Sequence, residues 1–313
     1  MTPDPEITVL RRAPDLGTAP TPAAPTWYTH GLNRAAAYRL AALVAGALPR
    51  SLRLVLASAL GSALAPWFPA ERAAIRRAID RIVPGAAPEA RAALVREVFR
   101  HFAMCFSELV VPDGRAPERL VAHVHGAASL TALGRSGAIV LTAHLGNWEL
   151  GGRLLARRLG RPTHVVVAAE ADPAVERFLR RGPADVRFVV RTDSTSTLPL
   201  VAALRRGEIV AMQGDRALGT RGDVPVMFFG APAPFPLGPF VLARAARVPV
   251  LPSFCLLAAD RRYVVTLGEP IEVEPDAERA ALARWVTTLE AAVADHPEQW
   301  FNFFDVWSLA PAS

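Results

Sequence analysis

His144 and Glu149 stand five positions apart, with Leu145-Gly146-Asn147-Trp148 between them. An imidazole with a carboxylate on one ring nitrogen has its tautomer fixed, and its other nitrogen is left free to take a proton. That is a general base, a device worth about 10²–10⁴ in rate. On one regular helix, residues five apart point roughly 140° apart, so the two groups cannot meet if both are helical. With His144 on a loop and Glu149 in a first helical turn, a reversal at Gly146 can fold the ring back onto the carboxylate. Glu149 also suits a helix start, where the dipole favours negative charge. The alternative is an ordinary salt bridge from Glu149 to Arg153, one helical turn on, with His144 a satisfied polar residue at a strand end.

The flanking sequence supplies the elements that would place this pair. Ala138-Ile139-Val140-Leu141 is an apolar run that reads as a buried strand, and Leu150 through Leu159 reads as a helix. His144 therefore falls where a strand gives way to a helix, the rim at which open α/β sheets bind ligands. Gln213-Gly214-Asp215-Arg216 follows a second strand, Glu208–Met212, and can lie beside His144 on the same rim. Arg216 suits a phosphate or the developing oxyanion of a thioester. Asp215 can hold Arg216 in place or bind acceptor hydroxyls; a turn-capping Asp–Arg pair is the simpler alternative.

Further along, strands are expected at Thr163–Ala169, Val186–Val190, Val250–Leu257 and Tyr263–Leu267, alternating with helices at Pro173–Arg181, Leu198–Arg206, Pro239–Val248 and 276–294. This pattern predicts the α/β class, with a mixed, mostly parallel central sheet flanked by helices. Residues 217–236 read as a loop, Ala217–Asp223, followed by Val224–Phe229; the loop is Gly-rich, forms a mobile rim of the site and matches no phosphate-binding fingerprint. Within 217–236, Phe228, Phe229, Phe235 and Pro236 line an acyl groove or belong to the core. Residues 1–30, rich in Pro, Thr and Ala, read as a disordered tail, and 31–313 as a single domain. Its first part, 31–68, forms an N-terminal helical hairpin broken at Pro49. Leu52, Val55, Leu56, Leu60 and Leu64 share one face there. That face lies in a membrane interface or packs on the enzyme's own core. Helices are also expected at 70–82 and 88–110, with a strand holding His123 and His125 between them and the central motif. Those two histidines lack further ligands, and no metal is expected.

The chain has 313 residues, 51% of them hydrophobic, enough for a large core. Net charge is +6 and the pI about 10.4, and all 35 basic residues are Arg. A basic surface fits anionic lipid, an acidic carrier protein or nucleic acid. No zinc-finger or aromatic-basic RNA motif supports the last. Two Cys, each within an apolar run, exclude a disulfide framework and suit a reducing compartment. The N-terminus lacks the pattern of a signal peptide. No Gly-x-Ser-x-Gly elbow of a serine hydrolase occurs.

The six residues His144-Leu145-Gly146-Asn147-Trp148-Glu149 resemble the His-x4-Asp/Glu motif of the glycerolipid (lysophospholipid) acyltransferase superfamily. The form His-x-Gly-Asn-Trp-Glu is similar to the branch holding the late acyltransferases of lipid A biosynthesis and the phosphatidylinositol mannoside acyltransferases. Gln213–Arg216, Phe228-Phe229-Gly230, Pro236–Gly238, Pro249–Pro252 and His296-Pro297-Glu298-Gln299-Trp300 follow in matching order, so the resemblance runs from about residue 34 to 307. The closing Asn-Phe-Phe-Asp form departs from the usual lipid A enzymes.

The resemblance implies transfer of a fatty acyl group from an acyl carrier protein (acyl-ACP) or acyl-CoA thioester to a hydroxyl of a lipid A-like, lysophospholipid or other glycolipid acceptor. His144 and Glu149 would be catalytic, and Asn147, Gln213, Asp215, Arg216, Phe229 and Gly230 would contact substrate. No cofactor is required. The expected location is the cytoplasmic face of the inner membrane, peripheral or anchored through the N-terminal helices. A thioester hydrolase on the same fold and a non-catalytic lipid-binding protein are the alternatives.

Overall fold

The computed structural model describes residues 34–111, 117–168, 172–180, 186–190, 197–219 and 222–307. The expected N-terminal tail lies outside them. The first helices are α1 (Ala35–Gly46) and α2 (Arg50–Leu64), separated at Pro49, whose fixed extended backbone ends one helix and starts the next. Next come α3 (Pro69–Ile82) and α4 (Pro88–Leu109), each opened by proline in its first turn. Helix α2 lies on α4 through Leu54, Ser58 and Gly61, all buried. The stripe Leu52, Val55, Leu56 and Leu60 turns outward and stays 44–56% exposed. The hairpin therefore packs on the protein by one face and leaves the expected apolar face open.

The remaining chain alternates. After β1 (Val121–His125) and the short α5 (Ala127–Ala132) come β2 (Ala138–Thr142), α6 (Trp148–Leu159) and β3 (Thr163–Val167). Helix α7 (Pro173–Leu179), β4 (Val186–Val190), α8 (Thr197–Arg205) and β5 (Ile209–Gln213) follow. The hairpin strands β6 (Asp223–Phe228) and β7 (Ala231–Pro236) precede α9 (Gly238–Ala246), β8 (Val250–Leu257), β9 (Tyr263–Leu267) and α10 (Glu278–Asp295).

Seven strands form one sheet in the order β1-β9-β8-β2-β5-β3-β4. Only β8 and β9 pair antiparallel. Strand β2 sits at the centre, and Ala138 through Leu141 are at most 4% exposed, the continuous apolar run that a strand covered on both faces requires. One face carries Leu141, Ala143 and Leu145 into a core with Phe240, Leu282, Trp285 and Leu289 of α9 and α10. The other face carries Ala138 and Val140 against Leu54, Met104, Leu150 and Leu155 of α2, α4 and α6.

One expectation is corrected. Much of 217–236 is a two-stranded antiparallel ribbon, β6–β7, and not a loop. Phe229 and Gly230 both have positive φ (48° and 74°), the two-residue turn that suits the twist of a hairpin. Prolines at 225, 232, 234 and 236 concealed it, because they bar a central strand but not a ribbon outside the main sheet.

Candidate functional site

The parallel register of β2 and β5 builds the site. Thr142 pairs with Gln213, the last residue of each strand. Two residues further along each chain stand His144 and Asp215, so the two side chains emerge side by side. Alternation fixes their face. Leu141, Ala143 and Leu145 enter the core on the α9–α10 side, which leaves 140, 142 and 144 for the opposite side.

His144 Nδ1 lies 2.8 Å from Asp215 Oδ1, and the His144 backbone N–H donates to Asp215 Oδ2 at 3.0 Å. Trp300 Nε1 and Asn302 Nδ2 donate to the same Oδ2 at 3.2 and 3.1 Å. Asp215 is 1% exposed, and this set of donors is what allows a carboxylate to be buried. Burial pushes its pKa up, but the imidazole, its hydrogen bonds and Arg216 outweigh that and hold the carboxyl well below the usual carboxylate range. An ionised carboxylate only accepts, so Nδ1 carries the proton and Nε2 is the basic nitrogen. Burial, then the charge of Arg216, lowers the His144 pKa against the opposing pull of Asp215, so the ring is neutral near pH 7. His144 keeps 8% exposure.

The residues between His144 and Glu149 have structural reasons. Gly146 has φ 66°, and a Cβ there would stand 2.2 Å from the Cys255 carbonyl oxygen. That carbonyl accepts the Asn147 N–H at 2.7 Å, so only glycine lets the backbones approach. Asn147 caps α6, its Oδ1 accepting from Leu150 N at 3.0 Å. Its Nδ2 donates to the Tyr263 hydroxyl at 3.0 Å. With 5% exposure and both polar atoms engaged, Asn147 holds the motif in place, where the sequence pointed to substrate contact. The Trp148 ring meets His144 edge-on, 4.9 Å between centroids.

Glu149 does not hold His144. The chain past His144 bridges to Trp300 at Leu145 and to Cys255 at Gly146 before it turns into α6, and these bridges hold it without setting the ring on the Glu149 carboxylate. Neither a hydrogen bond nor an ion pair joins the two side chains; the carboxylate on the ring is Asp215. Glu149 instead lines an apolar slot between α6 and the sheet, shared with Trp148, Gly152, Arg153, Gln213 and Val165. Burial raises its pKa, with Arg153 opposing. Gln213 reaches this slot, and so do Val140, Thr142 and Ala211. His144 and Asp215 thus continue the two rows of strand residues that form its wall.

Arg216 donates from Nε to Asn302 Oδ1 at 2.6 Å and from Nη2 to the Phe301 carbonyl at 2.8 Å, and stacks on Phe304 at 5.2 Å. Its charge is fixed close enough to depress His144. Phe229 and Gly230 are not brought to His144. They form the β6–β7 turn, where Phe229 N–H donates to Glu290 of α10 at 2.9 Å. Phe228 and Phe235 are core residues, 0% and 2% exposed. No cluster of three or more His, Cys, Asp or Glu suited to a metal occurs among the described residues.

A sequence profile described as "Bacterial lipid A biosynthesis acyltransferase" matches residues 33–308. The chain belongs to that family. Relatives include two proteins named phosphatidylinositol mannoside acyltransferase from Mycobacterium tuberculosis. The one from strain CDC 1551 / Oshkosh is 31% identical over 164 residues, 51% of this chain and 50% of the relative. The one from strain ATCC 25618 / H37Rv is 32% identical over 123 residues, 38% of each chain. The chain thus spans half or less of the curated relatives it matches.

Within this acyltransferase family member, the carboxylate on the His144 ring is Asp215, where the sequence pattern pointed to Glu149. The available signal was positional: His144 and Asp215 each stand two residues past a strand end. Trp300 and Asn302 belong to an aromatic-rich stretch, but no spacing tied them to Asp215, 85 and 87 residues away.

Proposed function

We propose that the protein is an O-acyltransferase that moves a fatty acyl group from a thioester, carried by acyl carrier protein or CoA, to a hydroxyl of a membrane lipid or glycolipid. The observation that carries this reading is the neutral, slightly exposed His144, braced on Nδ1 by an ionised Asp215 and in ring contact with Trp148, which lines an apolar slot. His144 Nε2 takes the acceptor's hydroxyl proton as that oxygen attacks the thioester carbonyl carbon. The tetrahedral oxyanion collapses, the C–S bond breaks, and the imidazolium returns the proton to the departing thiolate. Asp215 holds the tautomer and stabilises the imidazolium. The fixed positive charge of Arg216 favours the oxyanion. The alkyl chain of the donor lies in the slot, and Gln213 and Glu149 meet the polar end of a substrate at its mouth. The names of the relatives make a mannose-bearing phospholipid one acceptor within this class.

The protein works at a membrane surface. Leu40, Leu43, Val44, Leu52, Val55, Leu56, Leu60 and Trp67 are 44–79% exposed within one N-terminal region. A monomer rarely leaves so much apolar area in water, and the exposed Arg34 and Arg39 suit lipid phosphates. No single described helix is long and apolar enough to cross a membrane, and an open apolar face on an otherwise packed hairpin suits an interfacial contact.

The test supplies radiolabelled hexadecanoyl-CoA or hexadecanoyl carrier protein with vesicles of the source cell's total lipid extract. The expected result is labelled lipid that depends on His144. Free fatty acid alone would assign the protein as a hydrolase, and binding without turnover would make it a lipid-binding protein.

A further inference from the structure

Two glycines stand side by side in α6, Gly151 and Gly152, in a position where helices ordinarily favour Ala. Gly151 has a packing reason: a Cβ there would stand 3.0 Å from the Cβ of Cys255 on β8, so the helix can approach the sheet only without a side chain. Gly152 has no such reason. Its φ is not positive, and a Cβ built on it meets no heavy atom of the described residues within 4 Å. Yet Gly152 lines the slot, one turn of helix from Trp148, the residue whose ring touches His144.

On the reading of the slot as the acyl site, we infer that Gly152 sets which acyl chains the enzyme accepts, by leaving open the passage from Trp148, beside His144, to the apolar floor. The slot continues past Gly152 to Leu155, Val165, Val186 and Phe188. From Trp148 to Gly152 the helix advances about 6 Å and to Leu155 about 10 Å, so Gly152 stands part-way down. A short acyl group ends above it, and a long straight chain must pass it. A side chain at this place narrows the slot where methylene groups have to go, and one methylene too many in an apolar pocket costs roughly 10–200-fold.

The experiment measures kcat/KM for release of free CoA from butanoyl-CoA and hexadecanoyl-CoA, with vesicles of the source cell's total lipid extract, for the full chain and for Gly152→Ala and Gly152→Leu. The hexadecanoyl-to-butanoyl ratio should fall stepwise, by at least about tenfold for Gly152→Leu. Gly152→Ala should at the same time raise Tm by about 1–2 °C, because Ala is the better helix former. Higher stability with poorer use of the long chain is a signature that a merely structural glycine does not give. An unchanged ratio in both variants, whether the two rates hold or fall together, overturns the role of Gly152. A wild-type protein that consumes neither thioester overturns instead the acyl-transfer reading on which this rests.

Discussion

The imidazole Nδ1 of His144 is hydrogen-bonded at 2.8 Å to Asp215, 71 residues away, and not to Glu149, five residues away. The partner is chosen by sheet register, since β2 and β5 run parallel with Thr142 opposite Gln213. Asp215→Asn should leave the fold intact, but the three donors at the Oδ2 position hold the amide oxygen there and turn its NH2 towards Nδ1, which fixes the wrong tautomer. Acyl transfer should fall about 10²–10⁴-fold in kcat with little change in KM, read from steady-state rates.

The pH profile carries a sign that can be checked. The neutral ring is the active form, so the rate falls as pH drops through the His144 pKa. Arg216 lowers that pKa and Asp215 raises it. Arg216→Gln should therefore move the acid limb of kcat/KM to higher pH, and Asp215→Asn should move the residual activity's limb to lower pH. Movement in the same direction for both would contradict this electrostatic account.

Asn302 clamps the pair from behind, donating to Asp215 and accepting from Arg216. Hydrogen bonds to charged groups are worth about 1.5–3 kcal/mol each. Asn302→Ala should cost about 10–100-fold in kcat and shift the acid limb, because both neighbours of His144 lose a restraint.

Asn147 is a cap and a brace. Asn147→Asp keeps an acceptor for Leu150 N but loses the donor to Tyr263, while Asn147→Ala loses both. Thermal or urea unfolding should show a loss of about 1 kcal/mol for Asp and about 2–3 kcal/mol for Ala.

The open face of α1 and α2 predicts where the protein meets lipid. Replacing Leu43, Leu56 and Leu60, which are 73%, 48% and 56% exposed, by Gln should weaken sedimentation with anionic vesicles at least about tenfold. Stability should change by only about 0.5 kcal/mol per site, as for other surface positions. Vesicle binding equal to wild type would place the membrane contact elsewhere.

Much of the architecture could be read from periodicity. Buried parallel strands such as Ala138–Leu141 announce themselves as short apolar runs, and Pro49 marks its own break. The β6–β7 ribbon was hidden because its prolines speak against a strand and its turn uses Phe229 at positive φ, a rare choice. The histidine was legible because Gly146 and Asn147 are required by a tight approach to Cys255 and a helix cap, constraints that leave a local pattern. Its carboxylate was not, since register between β2 and β5 depends on the folded sheet and writes no spacing into the chain. Trp300 and Asn302 were obscured for the same reason, reaching Asp215 only across tertiary structure.

Histidine-selective ¹⁵N–¹H NMR of the wild type, Asp215→Asn and Glu149→Gln reads the central hydrogen bond directly. The account predicts a low-field Nδ1–H proton on His144 in the wild type and in Glu149→Gln, lost in Asp215→Asn. A signal that survives in Asp215→Asn and disappears in Glu149→Gln would contradict it.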